Sequence, residues 1–158
     1  QSEQPIATVS VIAYNEEQHL LACLWSLSEM VCKYPIEIIG VNNDSTDCTQ
    51  LIFERCGIPF FTEMQHSPGF ARNCGLEHAR GKYHICIDSD SLYPQQYIET
   101  YIETLAKKEV VGCYCLWSFL PDENHSKIQL AIYEFLRDFY LKIQNILFFQ
   151  KQFQKESK

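Results

Sequence analysis

The chain has 158 residues, 46% of them apolar and 21% charged, the balance of one globular domain able to bury its own core without staples. The net charge of -7, with no run of five or more Lys/Arg, excludes a surface built to bind nucleic-acid phosphates. Eight cysteines occur without a CxxC pair, and no leader pattern opens the sequence, so the expectation is reduced thiols acting as small buried hydrophobes in a cytoplasmic protein. A zinc site around His84 and Cys86 has no ligand spacing behind it.

In chain order, IATVSVIAY (6–14) alternates and is β-branched, which predicts a strand. Helical spacing of apolar residues follows over 15–30, with Asn15 as the expected N-cap. IEIIGV (36–41) predicts a second strand, the turn-rich NNDSTD (42–47) leads into a helix over 49–56, and Gly57 ends it. A short strand over 58–63, a helix over 67–81 and a fourth strand over 82–88 come next. Pro94 is placed to open a helix, residues 109–119 form an expected fifth strand, and 126–149 a long amphipathic helix.

Strands alternating with helices at this spacing imply a mostly parallel, three-layer α/β/α sheet. Ligands of such open sheets bind beyond the carboxyl ends of the strands. Tyr14-Asn15-Glu16, Asn42 to Asp47 and Asp88 to Ser91 each follow a strand, so all three should meet along one edge.

Asp88 and Asp90 lie on the same side of an extended segment, about 6.5 Å apart along the chain. Alone they would repel, and a hard cation such as Mg²⁺ or Mn²⁺ relieves that repulsion, a diphosphate supplying the remaining ligands. Taken by itself, however, a DxD reads first as a solvated turn capping the next helix. Asn43 could offer an amide to a base edge or be an ordinary turn residue. Arg72 and Asn73, near a helix start, could meet an anion, or Arg72 could simply pair with a nearby acid.

Together, VSVIAYNEE, VNNDSTDCT and ARNCGLEHARGKYHICIDSDS resemble the nucleotide-binding half of inverting family 2 glycosyltransferases, which have the Rossmann-like GT-A fold. The resemblance covers residues 8 to about 105 of what is expected to be a single domain, with 106–158 a partial acceptor side. It implies that Ala13, Tyr14 and Glu16 line a nucleoside pocket, that Asn43 meets the base, and that Arg72 and Asn73 run beside the nucleotide. It also implies that Asp88 and Ser89 lie near the ribose and the metal's water shell, and that Asp90 ligates Mn²⁺ or Mg²⁺ with Asp88 beside it.

The implied donor is a nucleotide-diphosphate sugar, with uridine the default base. The implied acceptor is a saccharide or lipid-linked acceptor in cell-surface polysaccharide or lipopolysaccharide assembly. The family pattern has Asp at 42 and 43, where Asn stands here, and two more residues before Tyr-Asn. No segment matches the one carrying the general base, and Asp122 and Glu123 have nothing to align them with it. A donor-binding module without transfer activity is therefore the alternative. The stripe over 128–149 is expected to pack on the sheet, or to meet a second copy or the inner membrane surface.

Overall fold

The computed structural model of the chain describes residues 4–114 and 126–138. It divides into one unit ending at Cys113 and a second beginning at Tyr114. The first contains the whole of the expected 8–105 core. Its elements are β1 (Ala7–Ala13), α1 (Leu20–Ser28), β2 (Ile36–Asn42), α2 (Thr49–Arg55), β3 (Phe60–Thr62), α3 (Pro68–His78), β4 (Tyr83–Asp88) and α4 (Tyr97–Leu105). The strands form one parallel sheet in the order β3-β2-β1-β4. In the second unit, residues 127–138 are helical. There the Ser126 hydroxyl accepts from the Gln129 N–H while the Gln129 amide oxygen accepts from the Ser126 N–H, a reciprocal cap.

Strand parity sorts the core. Ala7, Val9, Val11 and Ala13 of β1 share one face with Ile85 and Ile87 of β4, and onto it pack Leu20, Cys23, Leu24 and Leu27 of α1, Phe53 of α2, and Ile98 and Ile102 of α4. On the other face Val41, Ala71 and Cys74 cluster with Ile12 and Phe61 under α3. Helices thus cover both faces, as the α/β/α reading expected. Close approach is built in at Gly40, where an added Cβ would lie 2.7 Å from the Phe53 ring.

Three expectations change. Helix α1 begins at Leu20, not Asn15, because Asn15 sits at φ 53, in the left-handed region that cannot continue into a helix. Helix α4 begins at Tyr97, after a turn in which the Tyr97 N–H donates to the Pro94 carbonyl. No strand forms over 109–114: Val111 is fully exposed and nothing among the described residues pairs with this stretch, so β-branched composition has no ladder to join. Residues 115–119 and 139–149, and with them the rest of the expected fifth strand and long helix, lie outside the described residues. Of the described cysteines, Cys23 and Cys74 are buried as expected, whereas Cys48 and Cys56 are exposed.

A polar pin closes the amino ends of the strands. The Thr8 hydroxyl donates to Glu37 and accepts from the N–H groups of Arg80 and Gly81, while Arg80 Nε donates to Glu37 Oε2 at 2.7 Å. Burial pushes the Glu37 carboxyl up, but hydrogen bonds from Arg80 and Thr8 and the Arg80 charge outweigh it, leaving the group below its ordinary 4.5. A depressed folded-state value stabilises the fold above pH 4.5 and loses that contribution as pH falls through it. Urea unfolding of Glu37→Gln is expected to show a loss of about 1–2 kcal/mol at pH 7. The deficit should shrink below pH 4.5, and a deficit independent of pH would contradict the assignment.

Candidate active site

Where parallel strands end, the loops that leave them carry main-chain groups with no ladder partner. Here two loops satisfy each other. The Asn15 N–H donates to Ser45 Oγ (3.0 Å), the Glu16 N–H to Thr49 Oγ1 (2.8 Å) and the Glu17 N–H to Asp47 Oδ2 (3.0 Å). In return, the Thr46 N–H donates to Asn15 Oδ1 (2.8 Å) and the Cys48 N–H to Glu17 Oε2 (3.1 Å). Asn42 Oδ1 accepts from the Ser45 N–H, which holds the turn through Asp44 at φ 56. Burial pushes the Asp47 carboxyl up, but hydrogen bonds from Thr49 and the Glu17 N–H dominate and hold it below its usual value.

This clasp settles which predicted residues face outward. Tyr14 is half exposed, its ring edge-on to His66 at 5.3 Å, and His66 pairs with Asp44 at 3.2 Å. Ala13 does not line a pocket with its side chain: the methyl is in the core and its carbonyl accepts from the Asn43 N–H. Asn43 is 4% exposed, and its amide nitrogen donates to the carbonyls of Glu63 (2.9 Å) and Gln65 (2.7 Å). Both amide hydrogens are thereby committed to the chain, leaving only Oδ1 to offer a ligand.

Asp88 ends β4 and Asp90 lies in the turn beyond it, both exposed. Glu16 follows β1 at the same edge with its carboxylate 2.9 Å from His19 Nδ1, and among the described residues no three His, Cys, Asp or Glu form a group that could hold a metal. Burial first, then the charges of Asp90, Asp88 and Glu16, push the Cys23 thiol up to about 12. Arg72 Nη2 stands 3.2 Å from Asp88 Oδ1, and Asn73 is exposed beside it on α3. Ser89 is turned inward, 3% exposed, its N–H donating to the Ile12 carbonyl. Its hydroxyl is not presented with the flanking acids.

Sequence reasoning missed Thr49, Asp47 and Ser45 as the frame of the site, and Tyr93, whose hydroxyl bonds the main chain of Asp88. The capping chemistry of NNDSTD signalled Ser45 and Asp47; nothing in the pattern singled out Thr49 or Tyr93. His84 and Cys86 touch at 3.6 Å, but no third His, Cys, Asp or Glu completes a metal group around them among the described residues. Asp122 and Glu123 lie outside those residues.

Open parallel sheets bind ligands beyond the carboxyl ends of their strands, and Asp88, Asp90 and Arg72 lie there. The family model described as "Glycosyl transferase family 2" matches residues 8–155, and the chain belongs to that family. It is 33% identical over 137 residues to the uncharacterized glycosyltransferase YfnE of Bacillus subtilis, covering 79% of this chain and 35% of that protein. The mannosyltransferase PcManGT from Pyrobaculum calidifontis, solved with GDP-Man and Mn²⁺, superposes with a TM-score of 0.61 at 26% identity, over 69% of this chain and 34% of its own. S. aureus TarS 1–349 with UDP-GlcNAc gives a TM-score of 0.52 at 26% identity, over 63% of this chain and 30% of its own. The chain thus spans about a third of the length of these relatives.

Replacing Asp47 by Ala strands the N–H of Glu17 and of the fully buried Thr49. Chemical unfolding should register a loss of about 1–3 kcal/mol. Both Asp47 oxygens accept from the chain's own N–H groups, so an unchanged unfolding midpoint would mean that the clasp does not hold the loops.

Proposed function

We propose that the chain carries the donor site of a metal-dependent, inverting glycosyltransferase that takes a nucleotide-diphosphate sugar. The observation that carries this is that Asp88 ends β4 and Asp90 follows it beyond the carboxyl edge of the sheet, with Arg72 3.2 Å from Asp88. An all-oxygen, anionic donor set suits a hard divalent cation, and two carboxylates suffice when a diphosphate completes the shell. Asp90 would hold Mn²⁺ or Mg²⁺ with Asp88 beside it. Bound there, the cation supplies charge neutralisation at the leaving diphosphate.

Tyr14 gives the base an aromatic face, and Arg72 and Asn73 line the nucleotide's path. Asn43, restricted to its oxygen, accepts from a ring N–H. Uracil, thymine and guanine carry that N–H, whereas cytosine and adenine present a ring acceptor at the corresponding position. The UDP and GDP sugars of the two solved relatives fit this restriction. Uridine stays the default donor base, and a saccharide or lipid-linked saccharide of a cell-surface polymer is the acceptor class. No helix among the described residues is long and apolar enough to cross a membrane. Ile128, Ile132 and Leu136 are exposed on helix 127–138, which supports a peripheral contact with the inner membrane face or a second copy.

Calorimetry with UDP, GDP, TDP, CDP and ADP, with and without Mn²⁺, tests the reading. The first three should bind at least about tenfold more tightly than the last two, since an unmatched acceptor pair costs upward of 1 kcal/mol. Asp90→Ala should abolish the gain from Mn²⁺. Absence of nucleotide binding under every condition would sink the proposal. Donor turnover in the presence of acceptor separates a transferase from a binding module; the base that inversion needs is not among the residues named above.

A further inference from the structure

We infer that Tyr93 is a positioning residue for the metal-binding carboxylates, its hydroxyl standing where a neighbouring strand would otherwise hold the main chain of Asp88. The inference rests on the metal and nucleotide reading of the site.

The sheet order places β4 at an edge, with β1 on one side and no strand on the other among the described residues. Toward β1 the ladder continues past the end of the strand, the Ser89 N–H donating to the Ile12 carbonyl. The N–H and C=O of the intervening Asp88 are not used by that ladder. In an edge strand such groups face water, and the residue keeps much of its freedom to rotate. Here one phenol oxygen takes both: it accepts from the Asp88 N–H at 3.0 Å and donates to the Asp88 carbonyl at 2.9 Å.

The phenol is itself anchored. The Tyr93 N–H donates to Ser26 Oγ at 3.2 Å, and that hydroxyl donates to the Cys23 carbonyl at 2.7 Å, tying the residue to α1. The Tyr93 ring packs on Tyr97 at 4.8 Å, and Tyr97 on Tyr101 at the same spacing along α4. Helices α1 and α4 therefore fix the phenol, and the phenol fixes the last residue of the strand. The chain turns immediately afterwards, over Ser89 and Asp90. The relative direction of the two carboxylates depends on the dihedrals at this junction. Nothing else among the described residues bonds the Asp88 main chain on its outer side, apart from the weak Cys23 thiol contact at 3.8 Å.

Tyr93→Phe keeps the ring packing and removes only the hydroxyl. The full chain and the variant are titrated with Mn²⁺ alongside a saturating nucleoside diphosphate, UDP or GDP according to which the wild type binds. Free Mn²⁺ is read by electron paramagnetic resonance, and metal-free nucleotide binding by calorimetry. Outer-shell partners of metal ligands are worth about 10–100-fold in metal affinity, and about tenfold is expected here, with metal-free nucleotide affinity unchanged. Equal Mn²⁺ affinity in wild type and variant overturns the inference and leaves the site reading intact. A parallel loss of metal-free nucleotide binding overturns it too, by making the role merely structural. Wild type that binds no nucleotide diphosphate overturns the site reading and this inference with it. If melting shows that Tyr93→Phe does not fold, Ser26→Ala takes its place. It releases the Tyr93 main chain but keeps the hydroxyl, with about a threefold loss of Mn²⁺ affinity expected and an unchanged affinity overturning the inference.

Discussion

The site depends on the clasp between the loops that leave β1 and β2. Strands lying side by side in a parallel sheet end together, and their departing loops compete for the same space while leaving N–H groups unpaired. Asn15, Glu17, Ser45, Asp47 and Thr49 resolve this by giving side-chain oxygens to each other's main chain. Because Thr49 is fully buried, the anchor at the foot of α2 is shielded from water, where a hydrogen bond is harder to replace. Asn15 meets Thr46 from a left-handed backbone, a conformation that Asn tolerates better than most residues. The clasp delays α1 by several residues, and that delay leaves Tyr14 and Glu16 at the mouth of the site instead of inside a helix.

Charge then defines what the mouth can accept. The chain is acidic overall, and the charges of Asp90, Asp88 and Glu16 all act on the buried Cys23 thiol. Among the described residues His19 meets Glu16, and Arg72 meets Asp88. Arg72 and Asp88 are both largely exposed, so their pair is weak and readily exchanged. A doubly charged cation held by two carboxylates competes well against such a contact, and a diphosphate offers the released guanidinium a bidentate partner. The same residues thus suit an empty and a loaded site without a change of fold.

Much of this was legible in the sequence for reasons that can be located. The alternation of IATVSVIA and the run IEIIGV name central buried strands, and the motif order predicts which loops share an edge. The inward turn of Ser89 was legible too. An extended reading of 88–90 puts Ser89 on the side opposite the two acids, and although the chain turns there Ser89 is buried; the period of two within β1 buries the Ala13 methyl opposite Ile12. Asn43 could be placed but not read, because its donors are taken by carbonyls of the chain some twenty residues on, a tertiary pairing no local pattern reveals. Tyr93 was hidden for a similar reason: it lies in an irregular stretch, and its partner is a main-chain group. Of the strand expected over 109–119, residues 109–114 form none, because composition describes a willingness to pair, and pairing needs a neighbour.

Two polar networks now stand at opposite ends of the same strands, and they divide the labour. At the amino ends, Thr8, Glu37, Arg80 and Gly81 lock the return from α3 into β4, and an added Cβ at Gly81 would fall 2.5 Å from the Ala7 main chain. That network is closed on itself: each oxygen of Glu37 has a donor from the chain. At the carboxyl ends the polar atoms are only partly matched, with Asp88 and Asp90 exposed. A sheet whose amino ends are self-satisfied can tolerate unmatched charge at the other edge, because the cost of that charge is not borne by the same hydrogen bonds that hold the strands in register. The edge left electrostatically incomplete is the one where a cation and a diphosphate would complete it.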